Sequence, residues 1–372
     1  MKILLINNSE LTLINNDLFI ENSTGLFARE LKHLGHEINF FGQMLTTSGN
    51  TIHHFGIKEN GMQVSGLKRK KNKLFNYILL YSSSIPQILK SDFIYIFYPS
   101  SFKYIAFLCV LFNKKYGLYV RGMDDLRSIS SRMIYRKSYC IFTVSDYFSS
   151  YINEKTRSKP AETIRPMIAF TEKDIVENRQ FNLKTAKDKF NILYIGRLTN
   201  DKGIIELLLA AKELVQDGYN FTINLLGNGE YKEQITNLIN ELNLSEYVIT
   251  HDPVFDNKRI REFYLDADIF VIASYHEGFP RTLYEAMIFG TPIITSFVGG
   301  IPDVMEADYN CLRVEPKSAK NLKEKLVFAF NNYGTMVDFS KNATQTVKEI
   351  LSKRKLSHAQ ALSRKIEKLS SN

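Results

Sequence analysis

Two glutamates separated by seven residues, Glu277 and Glu285, stand in the segment YHEGFPRTLYEAMIFGTPIITS. Gly278 and Pro280 are loop formers, so a helix is expected to begin near Arg281 or Thr282. The first N–H groups of a helix lack partners inside it and favour anions. A diphosphate can therefore rest on the amides of Thr282 and Leu283. Glu285, one turn in, can accept hydrogen bonds from a ribose diol. Glu277, in the loop, can face a sugar hydroxyl. An ordinary capped helix with acidic residues near its start fits the same residues.

A second group is GRLTNDKG, Gly196 to Gly203. Arg197 and Lys202 combine a guanidinium fork with a point charge, a pairing suited to a diphosphate. A solvated loop with an ordinary salt bridge is the competing reading. LLGNGE places Gly227 in either a tight strand-to-helix turn or a ligand contact. A lone G-x-G away from the chain's first crossover unit disfavours a dinucleotide cofactor. FVGGIPDVM adds a glycine pair after a strand, where a backbone can come close to something. Asp266 and Asp268 flank Ala267 at a strand entrance and read as fold-forming, so no metal site is expected. His53 and His54 read as structural or exposed.

These groups must be held by a regular frame. Strands are expected at 2–7, 37–42, 93–98, 118–121 and 140–145, with helices at 26–33, 74–89 and 102–113 between them. A polar stretch over 171–190 reads as a linker. The alternation then restarts, with strands at 191–195, 221–226, 247–250, 269–273, 292–295 and 311–314. Helices are expected at 204–216, 230–242, 256–265 and 281–289. Alternating strands and helices imply parallel sheets built from right-handed crossovers. The expected architecture is α/β: two doubly wound domains, over 1–170 and 191–340, with ligand at the carboxyl ends of the strands. Residues 341–372 space apolar positions at helical intervals among Lys and Arg, as basic amphipathic helices do.

Composition narrows the function classes. With 372 residues and 44% hydrophobic content, the chain can bury two cores, which excludes a disordered protein. Its three widely spaced cysteines form neither a disulfide framework nor a zinc pattern, and a reducing cytoplasm suits them. The start, MKILLINNSE, is a poor signal peptide and a good first strand. The longest apolar run, 102–112, is too short for a membrane span and contains Lys103. The net charge of +9 is uneven: +10 over 1–165, −7 over 166–340 and +6 over 341–372. The basic parts are expected to meet something anionic. Nucleic acid is disfavoured because no zinc-finger, RNP-type or basic-zipper pattern is present. The run KRKKNKLFNYILLY joins basic residues to an amphipathic helix, and anionic lipid at the inner face of the cell membrane, a lipid-diphosphate acceptor or a solvated loop before a core helix accounts for it.

The order GRLxxxKG, GxG, ADIFVIAS, EGFPxTLxEAM and GGIPD resembles the family-4 retaining glycosyltransferases, which have the GT-B fold. The resemblance is strong over about 190–316 and weaker before it. It implies two Rossmann-like domains facing across a cleft, with the last helices returning to the first domain. It also implies a nucleoside-diphosphate sugar as donor and a saccharide or polyprenyl-diphosphate-linked acceptor in surface polysaccharide or glycolipid biosynthesis. Because Arg197, Lys202 and the helix start supply positive charge at the diphosphate, no metal or other cofactor is expected. Glu285 would take the ribose hydroxyls. Arg197 and Lys202, with the amides of Thr282 and Leu283, would take the diphosphate. Glu277, with Gly278 and Phe279, would hold the donor sugar, and the base would lie near Val254. On the acceptor side the family's early glycine pair is reduced to Gly25. The family's histidine after the fourth strand is replaced by YVRGMDD, where Arg121 or Asp124 takes the position. A non-catalytic sugar-nucleotide-binding protein and a GT-B-type epimerase are the alternatives.

Overall fold

The computed structural model describes residues 1–7, 11–14, 17–46, 53–100, 102–122, 128–156, 161–165 and 167–370. The chain forms two compact units: Met1–Met167 with Arg354–Asn372, and Ile168–Lys353.

The first unit contains β1 (Lys2–Ile6), β2 (Leu11–Ile14), β3 (Asp17–Glu21), α1 (Asn22–His33), β4 (Glu37–Thr46), β5 (His53–Gly56), β6 (Gln63–Lys68), α2 (Lys73–Lys90) and β7 (Phe93–Tyr98). It continues with α3 (Ile105–Leu111), β8 (Lys115–Val120), α4 (Ile129–Lys137), β9 (Cys140–Thr143), α5 (Asp146–Thr156) and β10 (Ala161–Thr163). Its sheet runs β10-β9-β8-β7-β1-β4-β2-β3-β5, with β6 also paired to β4. A parallel strand covered by helices on both faces must be apolar on both, and β7, FIYIFY, is buried throughout. Ile3 and Leu5 point to one layer, with Phe27 and Leu31 of α1. Leu4 and Ile6 point to the other, with Leu80 of α2, Ile105 of α3, Ile134 of α4 and Phe148 of α5. Each fully buried side chain of this kind contributes about 1.5–3 kcal/mol over its exposed state.

Here the structure adds what the alternation rule missed. Strands β2 and β3 pair antiparallel, as do β3 and β5. They are short and half polar, so they gave no crossover signal. Helix α1 starts at Asn22, four residues before the expected position, which puts Gly25 inside its first turns rather than in a loop. A Cβ on Gly25 would lie 2.1 Å from the Phe55 ring, so this glycine admits β5 against α1. His53 is buried with Nδ1 2.7 Å from the Thr12 hydroxyl, whereas His54 is exposed. The apolar run 102–112 yields only the seven residues of α3. Among the described residues no helix is long and apolar enough to cross a membrane.

The second unit contains β11 (Phe190–Ile195), α6 (Ile204–Gln216), β12 (Phe221–Leu226), α7 (Lys232–Glu241), β13 (Val248–His251), α8 (Asn257–Asp266) and β14 (Ile269–Ile272). It ends with α9 (Arg281–Ile288), β15 (Ile293–Ser296), β16 (Leu312–Val314), α10 (Ala319–Asn331) and α11 (Tyr333–Lys353). Every pair in its sheet, β13-β12-β11-β14-β15-β16, is parallel. The chain leaves β11 toward β12 on one side, and β14 occupies the other side. The space above β11 and β14 is therefore the topological switch point, where such sheets bind ligands. Asp268 forms part of this frame: its Oδ2 accepts from the Asn191 amide at 2.7 Å and from Lys184 at 2.5 Å.

The basic tail divides differently from the expectation of a single returning segment over 341–372. Residues 341–353 continue α11, which packs on α9 and stays with the second unit; Thr344 Oγ1 donates to the Met287 carbonyl at 3.0 Å. Only the last helix, α12 (His358–Ser370), belongs to the first unit. There Leu362 and Ile366 join the layer of Phe27. The buried His358 ring lies 4.3 Å from the rings of Phe27 and Tyr119, and its Nε2 shares a 2.6 Å hydrogen bond with the Tyr95 hydroxyl. Burial holds this imidazole well below its ordinary range, so it is neutral.

Candidate active site

The loops after the parallel strands of the second unit are laced together before they present side chains. Leu198 N donates to Asn228 O at 3.0 Å, and Gly227 N to His251 O at 3.2 Å. Gly227 has φ +156°, and a Cβ there would sit 1.9 Å from the Gly196 carbonyl oxygen. Across the switch point, Tyr275 N donates to Asp201 O at 2.8 Å and Gly300 N to Gly278 O at 2.8 Å. Gly299, at φ +58°, allows this closeness: a Cβ would lie 1.7 Å from the Glu277 carbonyl oxygen. Thus the motifs GRLTNDKG, GNG, EGFP and GG are one rigid rim.

Lys202 and Glu277 meet at the centre of that rim. Lys202 Nζ is 2.6 Å from Glu277 Oε1, with 8% and 14% of the side chains exposed. Asp201 Oδ2 is 3.5 Å from the same ammonium, and the Ser274 hydroxyl donates to Glu277 Oε1 at 3.0 Å. Ser296 Oγ in turn donates to the Ser274 carbonyl at 2.6 Å. The cation of one motif and the carboxylate of another, 75 positions apart, are therefore a nearly dry pair with a supporting shell. Of the competing readings, Lys202 does make a salt bridge, but a buried one at the switch point rather than a solvated one. Arg197 is exposed and makes no ion pair among the described residues.

Glu285 lies one turn into α9. The Tyr264 hydroxyl donates to its Oε2 at 2.9 Å and also lies 3.3 Å from the Thr282 carbonyl. Tyr264 is fully buried and stacks on Phe289, with ring centroids 5.5 Å apart. An edge of Glu285 meets solvent, yet protein packed around the carboxyl group raises its pKa to about 7, against the opposing pull of the Tyr264 hydrogen bond and of Arg281. In the expected helix start, the Leu283 amide donates to Pro280 O at 3.1 Å, and the Leu283 side chain is core. An anion would therefore compete with Pro280 for Leu283, whereas the Thr282 amide remains at the open helix end. The Phe279 ring is buried against Tyr284 at 4.4 Å, which leaves its backbone for contact. Val254 is half-buried in the loop after β13.

Sequence reasoning missed Tyr264 and Ser274 because a Tyr in an amphipathic helix and a Ser after a strand carry no spacing signal. It also missed Arg179. That side chain leaves the supposed linker and donates to the carbonyls of Tyr264, Leu265, Ala267, Phe289 and Gly290 and to Thr291 Oγ1, at 2.7–3.3 Å.

In the first unit, Arg121 follows β8. Its backbone N–H donates to Tyr98 O at 2.8 Å, its guanidinium lies 3.9 Å from Glu21 Oε2, and it covers the Phe97 ring at 5.1 Å. Gly25 serves packing, as described above. Asp124 lies outside the described residues.

Residues 175–346 match the family model for glycosyl transferases group 1. The chain is 31% identical over 154 residues to the capsular polysaccharide biosynthesis glycosyltransferase CapM of Staphylococcus aureus, covering 40% of this chain and 39% of that one. It is 29% identical over 162 residues to an uncharacterised glycosyltransferase of Methanocaldococcus jannaschii, covering 44% and 41%. The matches thus span about two fifths of each relative. Among solved structures, Anabaena Alr3699/HepE in complex with UDP and glucose matches over 100% of both chains with a TM-score of 0.69 at 16% identity, a likeness of fold. That fold is GT-B. The Lys202, Glu277 and Glu285 motifs all lie inside the segment that matches the glycosyl transferases group 1 model.

Proposed function

We propose that this protein is a retaining transferase. It would move a sugar from a nucleoside-diphosphate donor to a saccharide or polyprenyl-diphosphate-linked saccharide in surface polysaccharide or glycolipid biosynthesis, at the cytoplasmic face of the membrane. The observation that carries the reading is the buried Lys202–Glu277 pair at the switch point, in the loop that leads into the helix of Glu285. Lys202 would be shared between Glu277 and the leaving diphosphate, with Arg197 and the Thr282 amide completing the anion site. Glu277 would face the transferred sugar, and Glu285 the ribose. Gly278, the Phe279 backbone and Val254 would line the sugar and base. Arg121 would belong to the acceptor side. No protein nucleophile is required if the departing phosphate takes the proton of the incoming hydroxyl on the same face of the sugar. The deciding assay offers UDP- and GDP-sugars with lipid-linked and free saccharides and follows diphosphate release and the anomeric configuration of the product. Tight nucleotide binding without transfer to any acceptor would favour a binding protein, and conversion of the donor alone an epimerase.

The diphosphate charge is met by protein cations and a helix end in this scheme. Transfer is therefore expected to continue unchanged in excess chelator. Activity that stopped and returned only with magnesium or manganese would replace Lys202 with a metal in the same role.

Glu285 makes donor affinity pH-dependent. Its folded-state pKa of about 7 means that the free protein is partly protonated there, while ribose hydroxyls need the carboxylate as acceptor. Nucleoside-diphosphate affinity should fall about tenfold per unit as pH drops below 7. Because the folded pKa lies above the unfolded value, the same group lowers the stability of the free protein as pH rises from about 4.5 to 7. Glu285→Gln should flatten the affinity profile, and a profile identical to that of the unaltered protein in calorimetric titrations would remove Glu285 from the ribose.

A further inference from the structure

The large apolar side chains left in water are unevenly placed. In the second unit they are single residues on separate elements, such as Leu209, Ile249 and Phe328. Among the described residues of the first unit, apart from Leu34, they all belong to α2, α3 with its preceding Tyr104, and α4. Three on α2 stand out: Leu74 is 72% exposed, Ile78 58% and Phe75 51%. An aromatic row leads from them to α3. Tyr77 stacks on Tyr81 at 6.4 Å, Tyr81 meets Tyr104 at 6.5 Å, and Tyr104 stacks on Phe107 at 6.0 Å. Leu111, 73% exposed, ends the same layer.

Apart from the exposed Asp92 after α2, the charged residues along this stretch are basic. Lys68, Lys70, Lys71 and Lys73 are exposed just before and within the first turn of α2, and Lys103 lies 5.0 Å over the Tyr104 ring. No acidic residue occurs between Glu59 and Asp92, or between Asp92 and Asp124. Exposed apolar side chains clustered on a monomer mark a surface that is covered in use. Protein interfaces are depleted in lysine. Anionic headgroups instead attract lysines, whose stems lie along apolar surface while the ammonium stays wet, and tyrosines favour the same boundary.

We propose that the outer face of α2 and α3 docks on an anionic phospholipid bilayer, with Leu74, Phe75 and Ile78 entering the acyl boundary and Lys70, Lys71 and Lys73 meeting lipid phosphates. The surface gives a physical site to the membrane-side part of the proposed function. Its test reads partition and not transfer, so either can fail without the other.

The test is co-sedimentation of the full chain with vesicles of phosphatidylcholine alone or with one quarter phosphatidylglycerol. The anionic vesicles should bind at least tenfold more protein, and the difference should shrink as salt rises. Lys70→Gln with Lys71→Gln should weaken binding about fivefold per charge removed. Phe75→Ser with Ile78→Ser should weaken it at least tenfold at unchanged net charge. All four side chains are exposed, so unfolding temperatures should stay put and certify the fold. Equal partition into neutral and anionic vesicles would overturn the proposal, as would a Phe75/Ile78 variant that binds like the unaltered protein. So would light scattering that shows a dimer abolished by these substitutions without vesicle binding, because the face would then cover a second copy of the chain.

Discussion

Replacing Lys202 by methionine is expected to reduce turnover by roughly a hundredfold to a thousandfold, the scale of losing one preorganised group that stabilises developing negative charge. Two effects must be separated, because Lys202 also neutralises Glu277 at 2.6 Å in a nearly dry site. Removing one member of a buried pair costs about 3–5 kcal/mol of stability. The double change Lys202→Met with Glu277→Gln should restore most of the stability, since the remaining amide still accepts from Ser274. Turnover should stay low in the double variant, because the diphosphate still lacks its cation. Glu277→Ala alone should lower turnover while nucleoside-diphosphate affinity holds. A Lys202→Met protein that turned over within a few-fold of the unaltered one would reduce the pair to a structural brace.

The largest expected loss of stability is at Arg179. Its guanidinium supplies the ends of α8 and α9 with donors for carbonyls that have no helical partner of their own. Arg179→Ala should destabilise the second unit by at least about 4 kcal/mol, because several half-buried carbonyls lose donors together and water reaches few of them. Lysine at this position can reach only some of the six acceptors and should recover less than half. Urea unfolding followed by near-ultraviolet circular dichroism, which the many tyrosines make sensitive, measures the difference. A loss below about 1.5 kcal/mol would mean that the two helix ends are held by apolar packing alone. Because Tyr264 belongs both to this clamp and to the Glu285 hydrogen bond, Arg179→Ala should also weaken nucleotide binding without touching the ligand.

The alternation of apolar runs with helical patterns by itself determined that this chain builds parallel sheets. The observed β7, β12 and α6 coincide with the expected segments. Buried parallel strands must be apolar on both faces, and that requirement is written in consecutive residues. The order and spacing of five short motifs carried the resemblance over 190–316, and with it the switch-point loops, because glycine positions and charges next to strand ends are local properties. What lies between distant segments was not legible. That Lys202 is bound to Glu277 and not free for solvent depends on the β11–β14 register. That a tyrosine in α8 aligns Glu285, and that an arginine in a polar stretch clamps two helices, depends on which side chains the fold brings within 3 Å. Nor could the sequence divide its basic tail: both halves are amphipathic with similar spacing, and only the apolar layers they meet send residues up to Lys353 to one unit and α12 to the other. Periodicity reports how much of a residue is buried, whereas the identity of its partner is a tertiary fact.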